Sequence, residues 1–283
     1  NVSTLPREIL SVADARALEA CAARYETPCG DGRMIWHAWG DGAPIVLLHG
    51  GSGSWAHWAR NIPALVSAGR RVYAPDMPGC GESDRPPTGE DGDALPPWIE
   101  TGAVALGLDT FDLVGFSFGA MVAGFYAASF PSRVKRLVLV GAPGFNRTPG
   151  PKANLKEWLR LPDGPEREAA FRHNIRALMV ARDETVDDLS LTLYVEALKQ
   201  DRLTKRRIAA TDVSLDIMPQ IRCPVWGVWG ADDVLYRNRR DVAEYGMRQA
   251  PDLREIEFVP HAGHWVQYEE WRIFDALLAR WLA

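Results

Sequence analysis

Three kinds of residue in this chain could together cleave an acyl bond. The first is Ser117, in the stretch Gly115-Phe116-Ser117-Phe118-Gly119. Glycine two places to either side suits a serine held in a strained, sharp turn, because Cβ atoms there would collide as strand and helix close up. Ala120 and Ala123 keep the helix flank small. The spacing is that of a G-x-S-x-G turn, which holds the hydroxyl out from the top of a sheet. A serine hydroxyl needs a base at neutral pH, and the base needs an orienting acid. Of the six histidines, His264 stands out in "PHAGHWVQYEEW", where a short loop leaves the last strand, with His261 as its neighbouring competitor. His37, His57 and His173 read as ordinary strand, helix or lid histidines. Asp232 and Asp233 directly follow the apolar run "VWGVWG", and one of the pair fits a capping role equally well. The third requirement is a pair of donors for an oxyanion. "LLHGGSGSW" leaves a strand through His49, Gly50, Gly51 and Gly53, so the N–H groups of Gly51 and of Phe118 could form that pair. The glycine loop lacks the G-x-x-x-x-G-K-[ST] pattern of a phosphate cradle.

The elements around these residues alternate. "MIWHAW", "PIVLLHG", "RRVYAPD", "FDLVGFS" and "VKRLVLVGAP" read as strands. Trp55–Ala68, "PPWIETGAVALGL" and "FGAMVAGFYAASF" read as the helices between them. Residues 144–222 contain no convincing strand; "NLKEWLRL", "REAAFRHNIRALMV" and "VDDLSLTLYVEALKQ" read as helical. Alternation resumes with "PVWGVWG", a helix near Asn238–Arg248, "LREIEFVP" and a last helix from Glu269 to Leu282. Strands alternating with helices imply a mostly parallel sheet covered on both faces. The expectation is an α/β core of residues 1–143 and 223–283 with a helical lid of residues 144–222. Residues 1–33 are expected to add a helix and a strand.

Composition narrows the function. The chain has 283 residues, 47% apolar, enough for one well-packed domain with an insertion. A net charge of −5 gives no basic stripe for nucleic acid, and the run Asp201–Arg207 reads as a solvated helix face. Four irregularly spaced cysteines fit neither a disulfide framework nor a zinc site, and read as a reducing, cytoplasmic compartment. The chain has no apolar run long enough to span a membrane and no signal-peptide pattern at its start. The triplets Asn1-Val2-Ser3 and Asn146-Arg147-Thr148 match a glycosylation sequon and read as chance matches.

The order Ser117, Asp233, His264, with a glycine loop upstream of the serine, resembles the α/β-hydrolase superfamily from about Ala38 onward. "LLHGGSGSWAHW", "APDMPGCGESD", "LVGFSFGAMVA", "VWGADDVLY" and "AGHWVQYEEWRIFDALLARWL" are similar to its recurrent blocks, in the expected sequence. The resemblance selects Asp233, three residues after the glycine of the W-G block, and His264 of the late G-H pair. It gives His49 the task of shaping the oxyanion loop, and it turns the helical insertion into a lid. Ser117 argues against the branches with an aspartate nucleophile, which cleave carbon–halogen bonds or epoxides.

The favoured expectation is a serine carboxylic-ester hydrolase for a small or medium hydrophobic acyl substrate, working through an acyl-enzyme without cofactor or metal. Phe116, Trp55, Trp158 and Trp265 are its expected pocket residues. The alternative is a carbon–carbon hydrolase acting on a vinylogous diketone from aromatic degradation. That branch usually has asparagine before the serine, G-P-G in the oxyanion loop and a lid arginine. Here Phe116 and Ser52-Gly53-Ser54 stand instead, and Arg172, Arg176, Arg182 and Arg202 all compete for the arginine. A slow, ligand-binding receptor of the same fold is the alternative of another class. The partner expected is a small molecule, neither nucleic acid nor membrane, and a homodimer is compatible with the sequence.

Overall fold

The computed structural model describes residues 4–203 and 205–283, so the first sequon triplet lies outside the described residues. The chain opens with α1 (Val12–Ala20), β1 (Ala23–Cys29), β2 (Gly32–Trp39) and β3 (Ala43–Leu48). It continues through α2 (Ile62–Ser67), β4 (Arg70–Asp76), α3 (Pro96–Ala105), β5 (Phe111–Phe116), α4 (Phe118–Ser129) and β6 (Val134–Val140). Next come α5 (Pro165–Asn174), α6 (Asp188–Lys199) and α7 (Val213–Ile217). The last part holds β7 (Val225–Gly230), α8 (Arg240–Met247), β8 (Leu253–Val259), α9 (Val266–Glu269) and α10 (Trp271–Trp281).

Eight strands form one sheet in the order β1-β2-β4-β3-β5-β6-β7-β8. β1 and β2 pair antiparallel with their neighbours, and every pairing from β4 to β8 is parallel. Side chains alternate between two buried faces, as the two-residue period of a strand requires. Val46, Leu48, Leu113, Leu137 and Leu139 join one core with Ile99 and Ala103 of α3 and Val122 and Ala123 of α4. Ile45, Leu47, Val114, Val138 and Val140 join the other, with Ile62 of α2 and Phe274, Leu278 and Trp281 of α10. Continuous apolar runs therefore read correctly as strands covered on both sides. From β3 the chain crosses to β4 on one side and to β5, through β4 and α3, on the other. This reversal is the switch point where the carboxyl ends of parallel strands leave a crevice, and it sits between β3 and β5.

Residues 1–33 do supply a helix and an edge strand, with α1 closed by a Ser11–Asp14 capping box. Among the described residues, 144–222 contribute no strand to the sheet. Three local expectations are corrected. Trp55–Ala68 is not one helix: a 3₁₀ turn over Trp55–Trp58 gives way to α2, whose first turn holds Pro63, a residue that cannot continue a helical hydrogen-bond ladder. Asn154–Leu161 is irregular, because Asn174 takes both the N–H (2.7 Å) and C=O (3.0 Å) of Lys156, and His173 binds the carbonyl of Asn154 at 2.8 Å. Among its described residues, the basic run 201–207 is not a helix face. Arg202 N–H donates to Gly79 C=O at 2.8 Å, Leu203 is buried and Arg206 is drawn over the loop after β3.

Candidate active site

Ser117 is the single residue between β5 and α4, with φ 52° and ψ −121°. Few non-glycine residues occupy this left-handed region, and one that does marks a site where the surrounding structure holds strain. The serine N–H is fixed on Val140 C=O at 2.8 Å, and its own carbonyl accepts from Ala120 N–H at 2.8 Å. The flanking glycines are required by close approach. A Cβ at Gly115 would lie 2.4 Å from Gly119 O, and one at Gly119 would lie 2.2 Å from His49 O.

The loops after β7 and β8 deliver the other two groups. Ser117 Oγ donates to His264 Nε2 at 2.8 Å, and His264 Nδ1 donates to Asp233 Oδ2 at 2.7 Å. Asp233 is 1% exposed and its other oxygen accepts Leu235 N–H at 2.9 Å. The carboxylate and imidazole are thus held in one orientation, with Nδ1 as the protonated ring nitrogen. Asp232 is exposed, makes no contact with His264 Nδ1 and lines the cavity mouth instead, its N–H on Ala262 C=O at 2.9 Å. His261 lies at a cavity mouth with φ 61°. The structure therefore brings Ser117, His264 and Asp233 together and leaves both competitors outside. The N–H groups of Gly51 and Phe118 have no hydrogen-bond partner among the described residues. His49 is neutral, its pKa pushed down to about 4 by complete burial, and its Nε2 accepts Met77 N–H at 2.9 Å.

The four expected pocket aromatics are all close-packed. Phe116 stands 5.1 Å from the His264 ring, Trp265 stacks on Tyr268 at 4.2 Å, Trp55 packs on His37 and Trp39, and Trp158 packs on Phe171. None of them lines the cavity of about 280 Å³ that opens on His264; its walls include Lys152, Arg176, Val180, Val234 and Arg237. A second cavity of about 310 Å³ adjoins it through Arg176 and Arg237 and adds Arg182 and His261. Arg172 and Arg182 are engaged with carboxylates, and Arg202 with main-chain carbonyls.

Sequence reading overlooked two groups. Arg206 binds Asp201 Oδ2 and Ser52 Oγ, each at 2.8 Å, and its Nε would lie 2.8 Å from a Cβ at Gly51. Glu269 collects Gly263 N–H and Ala181 N–H at 2.7 Å, Arg182 N–H at 3.1 Å and Thr185 Oγ1 at 2.8 Å, which ties the His264 loop to the insertion. Each has a partner nearby in sequence, but its tie to the site or the insertion reaches chain more than eighty residues away, which no local pattern announces.

One group among the described residues has the atoms for a metal: His37, Asp76 and Glu82 converge within 4.8 Å. Both Asp76 oxygens already accept main-chain N–H groups, from Trp55 and Glu82, and Arg24 sits on Glu82 at 3.2 Å. Both carboxylates of the set are thus already engaged without an ion.

A turn-borne serine, a histidine and a buried aspartate at the switch point of a mostly parallel sheet define the class, and comparison with known proteins agrees. The family model of the alpha/beta hydrolase fold matches residues 43–270, and the chain belongs to that family. It is 33% identical over 269 residues to a 2-hydroxy-6-oxo-2,4-heptadienoate hydrolase of Pseudomonas putida, covering 87% of this chain and 91% of the relative. It is 28% identical over 261 residues to a 2-hydroxy-6-oxo-6-phenylhexa-2,4-dienoate hydrolase of Burkholderia cepacia, covering 86% and 89%. Among solved structures, a meta-cleavage product hydrolase from Pseudomonas fluorescens superimposes with a TM-score of 0.76 at 23% identity, covering 91% of this chain and 97% of that one. That likeness speaks for the fold. No helix of the described residues is long and apolar enough to cross a membrane. The protein is a hydrolase of this fold, and its relatives shift the weight from the ester reading toward carbon–carbon cleavage.

Proposed function

We propose that the protein hydrolyses a carbon–carbon bond in an acidic, vinylogous diketone, with Ser117 as nucleophile, His264 as base and Asp233 as the group that orients the imidazole. The observation that carries the acidic substrate is Arg206, whose guanidinium lies beside Gly51 and would be shared between Asp201 and a substrate carboxylate. Lys152 and Arg237, which make no ion pair among the described residues, outnumber the one carboxylate, Asp232, at the mouth of the cavity on His264. Relatives named for 2-hydroxy-6-oxo-dienoate substrates support the same reading.

In the proposed reaction Ser117 Oγ attacks the 6-oxo carbon while His264 takes its proton. The N–H groups of Gly51 and Phe118 receive the developing oxyanion. The substrate reacts as its 2-oxo tautomer, in which the 2-hydroxyl proton has moved to carbon 5. When the tetrahedral centre collapses, the single bond to carbon 5 breaks, its electron pair spreads into the conjugated 2-oxo acid, and His264 returns the Ser117 proton to carbon 5. A water molecule, deprotonated by His264, then releases the acyl group from Ser117. Residues 144–222 serve as the lid that keeps bulk water from the carbanion.

A second reading is the carboxylic-ester hydrolase, favoured by Phe116: the residue before the serine is apolar and packs on His264, where the carbon–carbon branch usually has asparagine. One assay separates the two. Purified protein is offered 2-hydroxy-6-oxo-2,4-heptadienoate and p-nitrophenyl acetate, beside Ser117→Ala. Serine-dependent loss of the dienoate chromophore with a kcat/KM well above that for the ester is expected. Ester turnover alone would replace this reading with the second, and undiminished turnover by Ser117→Ala would remove both.

A further inference from the structure

His57 is not an ordinary helix histidine. It sits in the 3₁₀ turn after the glycine loop, 4% exposed, and its Nδ1 accepts the N–H of Gly50 at 3.0 Å. An acceptor nitrogen carries no proton, so His57 is the neutral Nε2–H tautomer; burial holds its pKa well below the ordinary value. His49 has the opposite tautomer and donates from Nδ1 to the carbonyl of Gly50 at 2.7 Å. Gly53 N–H adds a second bond to that carbonyl at 3.1 Å. Gly50, which as glycine could rotate freely, is therefore clamped at its N–H by one imidazole and at its C=O by the other.

The clamp bears on Gly51 through two successive peptide units. His57 holds the 49–50 amide by its N–H, His49 and Gly53 hold the 50–51 amide by its carbonyl, and the Gly50 torsions between them are thereby fixed. The carbonyl of Gly50 and the N–H of Gly51 belong to the same planar trans amide and point in opposite directions. Fixing the carbonyl fixes the N–H, and a carbonyl that accepts two hydrogen bonds polarises the amide so that its N–H donates better. Gly53 must be glycine for His57 to reach this position: a Cβ there would stand 2.3 Å from the imidazole. The ring is also 5.3 Å from Phe116 and 5.3 Å from Trp265, and the His57 carbonyl accepts Trp265 Nε1 at 3.0 Å. His57 thus touches the residue before Ser117 and the residue after His264, as well as the loop that carries Gly51.

We propose that His57 is a positioning residue that holds the Gly51 N–H in register with Ser117 and His264 by accepting the N–H of Gly50. The inference rests on the serine-hydrolase reading above, and it concerns stabilisation of the tetrahedral oxyanion, not substrate affinity.

The test compares His57→Asn with His57→Leu, side chains of nearly equal size. Asn Oδ1 can stand where Nδ1 accepts; Leu offers no acceptor. With whichever of the two assay substrates wild type turns over, His57→Leu should lose about 10- to 100-fold in kcat with KM nearly unchanged, whereas His57→Asn should keep most of kcat. A trifluoromethyl ketone, which forms a tetrahedral adduct on the serine, should lose affinity for the Leu variant by the same factor and is measured whatever the substrate. Thermal unfolding of both variants reports the packing loss they share. Equal losses in Asn and Leu, or a Leu variant with wild-type kcat and ketone affinity, would overturn the proposal. Ser117→Ala runs in parallel: if it turns over like wild type, the hydrolase reading itself has failed, whereas a dead Ser117→Ala with no Asn–Leu difference sinks only the role of His57.

Discussion

On the proposed mechanism Asp233 acts by choosing which nitrogen of His264 carries the proton. Asp233→Asn would turn an NH₂ toward Nδ1, favour the wrong tautomer and lower kcat by about 10³- to 10⁴-fold with the fold intact. Crystallography or circular dichroism of the variant beside its kinetics checks this; a loss under tenfold would mean the aspartate does not orient the base. Arg206→Gln separates substrate classes: KM for an acidic dienoate should rise about tenfold while KM for a neutral ester stays put. Equal effects on both would place Arg206 in the architecture of the loop alone. Ser117, Asp233 and His264 were legible because each sits beside glycine or a strand end that gives its purpose away. Arg206, Glu269 and His57 were not, since their partners are supplied by the folded chain. His57 even fits a helical pattern on paper, and only the Gly50 N–H distance identifies its task.

Elements hold these residues by contact between backbones. α4 starts so close to the end of β3 that Gly119→Ala would push a methyl to 2.2 Å from His49 O and 2.6 Å from Leu48 O, main-chain atoms that cannot rotate away. The variant should lose about 3 kcal/mol or more of stability in urea titration, or fail to fold; a loss below about 1 kcal/mol would mean the helix can slide. A second test lies where α2 meets α10. Partly buried Asp275 accepts Asn61 Nδ2 at 2.8 Å, and burial pushes its pKa up to about 7. Its folded pKa exceeds the unfolded 3.8, so the folded state binds more protons between those values, and stability falls as pH rises through that window. Asp275→Asn keeps the acceptor and removes the charge. Its melting temperature should therefore gain on wild type from pH 4 to pH 7 by the equivalent of about 1–2 kcal/mol, and parallel curves would refute the shift. Strands were read from apolar runs and survived intact, because burial on both faces leaves little other option. The stretch 154–161 failed because a helical pattern lost to hydrogen bonds from Asn174, a partner no local window contains.

At the scale of the molecule, a chain of net charge −5 presents cations at the cavity on His264, Lys152, Arg176 and Arg237 among them. Arg176 is paired with Asp183 and Asp232 offsets one charge, so the excess of Lys152 and Arg237 over that carboxylate supplies the field there. For an acidic substrate, kcat/KM should fall about two- to fivefold as ionic strength rises from about 10 mM to about 0.5 M, and a neutral ester should be indifferent. The Lys152→Gln, Arg237→Gln double variant should flatten that dependence; an unchanged slope would mean the field arises elsewhere. The mostly parallel sheet was readable from alternation alone, whereas the switch point between β3 and β5 needed the strand order. The approach of Arg202 and Arg206 to the loops after β4 and β3 was hidden, because a charged run carries no address. One further consequence follows from the two amides at Gly51 and Phe118. A main-chain N–H survives every substitution except proline, so the side chain at position 118, which faces Gly92 and approaches Arg206, is free to vary without deleting a donor. Descendants of this chain can therefore change residue 118 without losing the donor, within what the buried core around it accommodates.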